Sequence, residues 1–199
     1  MFTGIVTDIG EVLAVERREG LARLAIGCGF AREAMTIGAS IACSGICLTV
    51  VAIGERVGRT TFDVDAGAET LTVTTAGDWQ AGTRINLEPA LKLGDELGGH
   101  LVTGHVDGVA EIIAREDFSD MARLAVRAPA MLSRFIAAKG SVALDGVSLT
   151  VNAVEGDTFS TLVIPHTLKA TTFGTLAKGS KVNFEADVMA RYAARLMER

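Results

Sequence analysis

The chain has 199 residues, 49% of them hydrophobic, with a formal charge of -5 and a pI near 5.2. That is enough apolar material for one large domain or two small ones with a substantial core. No basic run is available to neutralise phosphates, and no apolar run approaches the roughly 18 to 20 residues of a membrane span, so nucleic acid and membrane are excluded as expected partners.

The N-terminus lacks a charged leader followed by an apolar core, which predicts a soluble, cytoplasmic protein. Cys28, Cys43 and Cys47 lie in one short stretch and cannot all pair, so reduced thiols are expected. Cys43 and Cys47 lack Cys-x-x-Cys spacing and no second cluster accompanies them, so no metal site is expected. The 22 glycines against three prolines favour short strands joined by tight turns over a helical bundle.

From the N-terminus, period-two alternation predicts strands over residues 9–15 and 22–26, then a short helical turn at 30–35. Further strands follow over residues 39–43, 46–53, 57–64 and 84–87. Six short strands with turn signals between them point to a closed antiparallel barrel. A Gly-rich polar stretch at 94–99 breaks the pattern and marks a boundary, with neither a dinucleotide fingerprint nor a phosphate-loop lysine.

Beyond that boundary the chain is written a second time. Thr3-Gly4-Ile5-Val6 returns as Thr103-Gly104-His105-Val106, and Leu21 to Ala25 returns as Met121 to Ala125. After a one-residue insertion, Ser44-Gly45-Ile46-Cys47-Leu48-Thr49-Val50 aligns with Asp145-Gly146-Val147-Ser148-Leu149-Thr150-Val151. Glu69-Thr70-Leu71 then matches His166-Thr167-Leu168, and Arg84 to Glu88 matches Lys181 to Glu185. Five collinear matches at a period near one hundred residues, far longer than any solenoid unit, imply a duplicated domain. The expected division is residues 1–97, 98–186 and a terminal segment at 187–199. In that segment Val188, Tyr192 and Leu196 recur at helical spacing behind Asp187 as N-cap.

The opening Met-Phe-Thr-Gly-Ile-Val, the Gly-Ile-Cys-Leu-Thr-Val run at Gly45, Gly98-Gly99-His100-Leu101-Val102-Thr103-Gly104-His105 and Ile164-Pro165-His166-Thr167-Leu168 together resemble the riboflavin synthase family over essentially the whole chain. The resemblance implies an all-β fold of two similar six-stranded antiparallel Greek-key barrels plus a C-terminal α-helix that joins subunits into a homotrimer. It implies a transferase that takes two molecules of 6,7-dimethyl-8-ribityllumazine. Moving a four-carbon unit between them gives riboflavin and 5-amino-6-ribitylaminopyrimidinedione, with no cofactor. Two related pockets suit a reaction that consumes two copies of one substrate, provided that they are chemically unequal.

Inequality is written into the repeat: Ile5 corresponds to His105, Ser44 to Asp145, Cys47 to Ser148, and Glu69 to His166. A histidine titrates near neutral pH and suits the required proton transfers, though a hydrogen-bonded structural imidazole is the plainer reading. Cys47 is equally a small buried hydrophobe, Asp145 a turn residue, and Asp187 a helix cap. The resemblance promotes His100, His105, Asp145, Ser148, Thr150, Cys47 and Asp187 to catalytic candidates.

It also places substrate on Gly4, Ile5, Val6, Cys47, Leu48 and Thr49, and on Asp65, Ala66, Gly67, Ala68, Glu69 and Thr70. In the second half it places substrate on Gly104, His105, Val106, Lys139, Ser148, Leu149 and Thr150, and on Leu162, Val163, Ile164, Pro165, His166 and Thr167. The segment before Glu69 departs from the family's shorter Ser-Pro loop, and Ser44 stands where many members carry Asn. The rival reading is a non-catalytic lumazine or flavin carrier on the same fold; the full second-half polar set favours the enzyme.

Overall fold

The computed structural model describes residues 1–56 and 58–198. Val57, expected to open the fifth strand, and Arg199, expected to end the last helix, lie outside the described residues. The first half contains β1 (Asp8–Arg18), β2 (Leu21–Cys28), β3 (Ser40–Cys43), β4 (Ile46–Arg56), β5 (Arg59–Gly67), α1 (Ala68–Val73) and β6 (Arg84–Pro89). The second contains β7 (Gly108–Asp117), β8 (Ala122–Arg127), β9 (Ser141–Leu144), β10 (Val147–Glu155), β11 (Thr158–Val163), α2 (Pro165–Ala170) and β12 (Lys181–Ala186), followed by α3 (Val188–Met197).

Each half closes into a six-stranded antiparallel barrel, with neighbours β1-β2-β5-β4-β3-β6 in the first and the same order in the second. Closure requires strands that bend. Register shifts fall between Val12 and Ala14 in β1 and between Ile112 and Ala114 in β7, and again between Val50 and Ala52 in β4 and between Val151 and Ala153 in β10. The bulges are duplicated with the sequence. Inside, alternate residues such as Leu24, Ile26, Phe62 and Val64 fill the first barrel, and Leu124, Val126, Phe159 and Phe184 fill the second. Full burial of each such side chain is worth about 1.5 to 3 kcal/mol.

The helical turn expected at 30–35 is a 3-10 turn over Arg32–Ala34, too short to hold an α-helical hydrogen-bond ladder; its counterpart is the 3-10 segment Ala130–Phe135. Pro129 stands at the N-terminal cap of that segment. Conversely, α1 and α2 form where the sequence shows no helical period, because neither buries a residue deeply enough to need an apolar stripe.

The two barrels are joined face to face along a pseudo-twofold seam. Gly45 packs on Gly146, and a β-carbon on Gly45 would lie 2.7 Å from the Gly146 nitrogen. Asn86 donates from Nδ2 to the Asp145 carbonyl (2.9 Å) and accepts from the Thr172 amide (2.8 Å). Asn183 repeats this toward the Ser44 carbonyl (2.8 Å) and the Thr75 amide (2.8 Å). Both asparagines are buried, so each unpaired group left by their removal would cost about 1 to 3 kcal/mol. Phe2 pairs with Val102 across the same seam.

Candidate active site

The turns that open each half do not serve the barrel that follows them in sequence. The Ser148 amide donates to the Gly4 carbonyl at 2.8 Å, and the Cys47 amide donates to the Gly104 carbonyl at 2.9 Å. Val6 packs on the core of the second barrel and Val106 on that of the first. Gly4, Ile5 and Val6 therefore lie with Ser148, whereas Gly104, His105 and Val106 lie with Cys47. The close approach demands glycine: a β-carbon on Gly4 would fall 2.6 Å from Ser148 Cβ, and one on Gly104 2.6 Å from Cys47 Cβ.

On β4, Cys47 is half-buried and Thr49 exposed, both facing outward, while Leu48 between them points into the core. The same alternation on β10 turns Ser148 and Thr150 outward and buries Leu149. Leu48 and Leu149 thus offer a ligand only their backbone. Above Ser148, the buried His100 brings Nδ1 to 2.7 Å from Ser148 Oγ. Its Nε2 is buried and has no hydrogen-bond partner among the described residues. Burial holds this imidazole below its ordinary pKa, against the opposing pull of the Asp187 and Glu185 carboxylates. At neutral pH the ring is therefore uncharged and can receive a proton.

His105, by contrast, is exposed beside the first barrel's Cys47 strand, so the two neighbouring histidines lie beside different barrels. Asp187 caps α3 by accepting from the Met189 amide (2.9 Å), and its carboxylate also favours the charged form of His100. Cys28, Cys43 and Cys47 are free thiols, and burial pushes the first two up in pKa.

Asp145 is not joined to Ser148. Its carboxylate accepts from the Asn183 amide at 2.7 Å, inside the seam, and burial drives its pKa up to about 7. The unfolded chain releases that proton near 3.9, so between these values the folded state binds more protons and stability falls as pH rises. Asp145→Asn removes the titration. Between pH 5 and 7.5 the wild-type chain should lose roughly 2 to 3 kcal/mol more unfolding free energy than this variant. Urea midpoints at the two pH values check this; parallel losses would contradict it.

Among the segments expected to touch substrate, Asp65 is committed to a two-pronged ion pair with Arg23, at 2.8 Å for each bond, and Ala66 is buried in the core. Gly67, Ala68 and Glu69 are exposed where β5 enters α1, with Thr70 half-buried. In the second barrel Leu162, Ile164, Pro165 and His166 are exposed around the β11–α2 corner, Thr167 is half-buried, and Val163 is buried. Lys139 is an exposed turn residue with φ of 69°.

Two hollows of the chain lie elsewhere, while a third of about 410 Å³ is lined by Ser44 and Asp145. One of about 560 Å³ runs between residues 71–78 and 109–111, and an apolar one of about 480 Å³ lies under residues 30–36 and 89–92. Neither is lined by a catalytic candidate. Among the described residues no cluster of His, Cys, Asp or Glu could hold a metal ion, and no helix is long and apolar enough to cross a membrane.

Sequence logic missed Glu88 and Glu185, which end the last repeat match but read there as ordinary strand residues. Both are buried, and each receives the backbone of a Thr-Gly turn. Each shares the outward, seam-facing side of its strand with an asparagine, Glu88 with Asn86 and Glu185 with Asn183, while Leu87 and Phe184 point into the cores, so alternation alone gave no signal.

The lumazine binding domain family matches this chain twice, over residues 3–90 and 103–187. A riboflavin synthase of Brucella abortus is 54% identical over 199 residues, covering 100% of this chain and 98% of the relative. Those of Mycobacterium bovis and Bacillus subtilis are 42% and 37% identical, covering 99% and 100% of this chain and 98% and 91% of the relatives. Among solved structures, LumP complexed with riboflavin superposes with a TM-score of 0.84 at 26% identity, over 94% of this chain and 99% of that one. LumP complexed with 6,7-dimethyl-8-(1'-D-ribityl) lumazine gives 0.81 at 25% identity over the same shares.

Proposed function

Since this chain belongs to the riboflavin synthase family, transferases of riboflavin biosynthesis, we propose that its two barrels bind one lumazine each and that their unequal polar groups carry out the four-carbon transfer. The observation that carries this reading is the crossed pair of pockets: Cys47 with Gly104, His105 and Val106 in one, Ser148 with His100 and Gly4, Ile5 and Val6 in the other. Two molecules of 6,7-dimethyl-8-ribityllumazine give one riboflavin and one 5-amino-6-ribitylaminopyrimidinedione, a balance that needs no external oxidant.

One lumazine loses a proton from its C7 methyl group, and the resulting carbanion attacks the ring of the other. The Ser148–His100 pair moves protons: Ser148 Oγ receives one from substrate as it passes its own to the neutral His100 Nδ1. Cys47 and His105 present a softer, more apolar face to the second ring. Strand-edge amides and the hydroxyls of Thr49 and Thr150 meet the ring edge and the ribityl chain. Residues 1–97 and 98–186 act as the two binding units, and 187–199 as the contact that assembles a cytoplasmic homotrimer. Lys139 reaches the ligand from the rim of the second unit.

Fluorescence titration with riboflavin tests the two-pocket reading. Two sites per chain are expected, with Cys47→Trp blocking one and Ser148→Trp the other. A single site per chain, abolished by either variant, would contradict it.

A further inference from the structure

We propose that Glu88, on the last strand of the first barrel, is the positioning residue for the Ser148–His100 pair of the second. Three donors converge on its carboxylate: the Thr3 amide at 2.6 Å and the Thr3 hydroxyl at 2.8 Å on Oε1, and the Gly4 amide at 3.0 Å on Oε2. The two residues thus clamped then spend their carbonyls on the opposite barrel. Thr3 O accepts from the His100 amide at 3.1 Å, and Gly4 O accepts from the Ser148 amide at 2.8 Å. The backbones of the two residues whose side chains meet at 2.7 Å are therefore fixed by the adjacent carbonyls of one dipeptide, and one buried carboxylate fixes that dipeptide.

No slack exists in the linkage. A β-carbon on Gly99 would fall 2.1 Å from Thr3 O, and one on Gly4 2.6 Å from Ser148 Cβ, so a shift of the clamped turn displaces both partners. Glu185 repeats the clamp on Thr103 and Gly104 at 2.6 to 2.9 Å, and Gly104 O holds the Cys47 amide. Each barrel thereby supplies the carboxylate that positions the other barrel's site, which gives the seam a function beyond holding the halves together.

Glutamine at position 88 cannot reproduce the clamp. Whichever way the carboxamide turns, its NH2 faces a donor, leaving the Gly4 amide or the Thr3 donors unmet. The inference rests on the proton-transfer reading of Ser148 and His100, and the experiment separates the two. In the full-length enzyme, kcat for flavin formation and the His100 imidazole titration, assigned by NMR with His100→Gln, are measured for E88Q and E185Q.

For E88Q the expected result is a loss of at least tenfold in kcat and a His100 titration moved up toward the ordinary value, as the loosened pair admits water. E185Q should move the same titration down, because it removes a carboxylate that favours the charged ring. A role in folding alone would lower the melting temperature without moving His100. A folded E88Q with unchanged His100 titration overturns the proposal. A moved titration with kcat within twofold upholds the positioning and instead sinks the proton-transfer reading. If E88Q does not fold, Thr3→Val removes one of the three donors; a smaller shift in the same direction supports the clamp, and none overturns it.

Discussion

Ser148→Ala is expected to lower kcat about a hundredfold, at the low end of what a positioned proton-transfer group contributes, while riboflavin affinity stays within about threefold. Its hydroxyl is the partner of His100 Nδ1 at 2.7 Å, and the His100 Nε2 is buried without another. Removing the hydroxyl leaves a neutral, desolvated imidazole with no route to substrate. The backbone amide that binds Gly4 O is untouched, so the pocket keeps its shape.

His100→Gln should fall by a similar factor, and the double variant no further, because the two residues act as a unit. Thr49→Ala removes an exposed hydroxyl on the first barrel, with no hydrogen-bonded imidazole behind it, and should cost no more than about threefold in kcat. Steady-state flavin formation by the four variants, with folding verified by circular dichroism, checks the set. Equal losses at Ser148 and Thr49 would remove the case for unequal barrels.

Removal of residues from Val188 onward should yield a folded monomer that binds riboflavin yet has lost at least nine-tenths of its activity. Within one chain α3 is tethered by Arg191 to Asp107 and by Glu198 to Arg134, but its apolar side chains face outward. Met189, Tyr192, Leu196 and Met197 are 69%, 64%, 82% and 82% exposed. Burying four such side chains is worth on the order of 6 to 12 kcal/mol per helix before the costs of association. Equivalent helices meeting around a symmetry axis would bury them all.

The faces around the candidate site are likewise open in the single chain. Ile5, Leu101 and Ile164 are exposed, and neither large hollow reaches Ser148 or Cys47. A neighbouring barrel laid over these rims would exclude water and bring two lumazines together. Sedimentation should give about three times the 20.8 kDa subunit mass for the intact chain and a species lighter than one intact subunit for the truncated chain. A truncated monomer with full turnover would show that both rings react on one chain.

The barrels were legible because duplication repeats whole stretches in register and because inward residues alternate cleanly from Leu24 to Phe184. Helix α3 was legible from a cap and an apolar stripe. What alternation cannot show is which barrel a turn serves. Gly4 and Gly104 precede their own barrels in sequence, yet each packs on the other's site strand, a relation fixed by tertiary contact alone. Asn86, Asn183, Glu88 and Glu185 were opaque for the same reason: as letters they are strand residues, and only the seam gives their polar atoms partners. Asp145 read locally as a turn residue, which its φ of 43° bears out, but its carboxylate belongs to the seam and not to Ser148.

The most direct test supplies the purified protein with 6,7-dimethyl-8-ribityllumazine as its only small molecule and follows the products. Two lumazines consumed for each riboflavin and each 5-amino-6-ribitylaminopyrimidinedione formed, over many turnovers and with no added cofactor, is the result expected of two unequal pockets acting on one substrate. Lumazine that binds and is recovered unchanged would contradict it and identify a carrier.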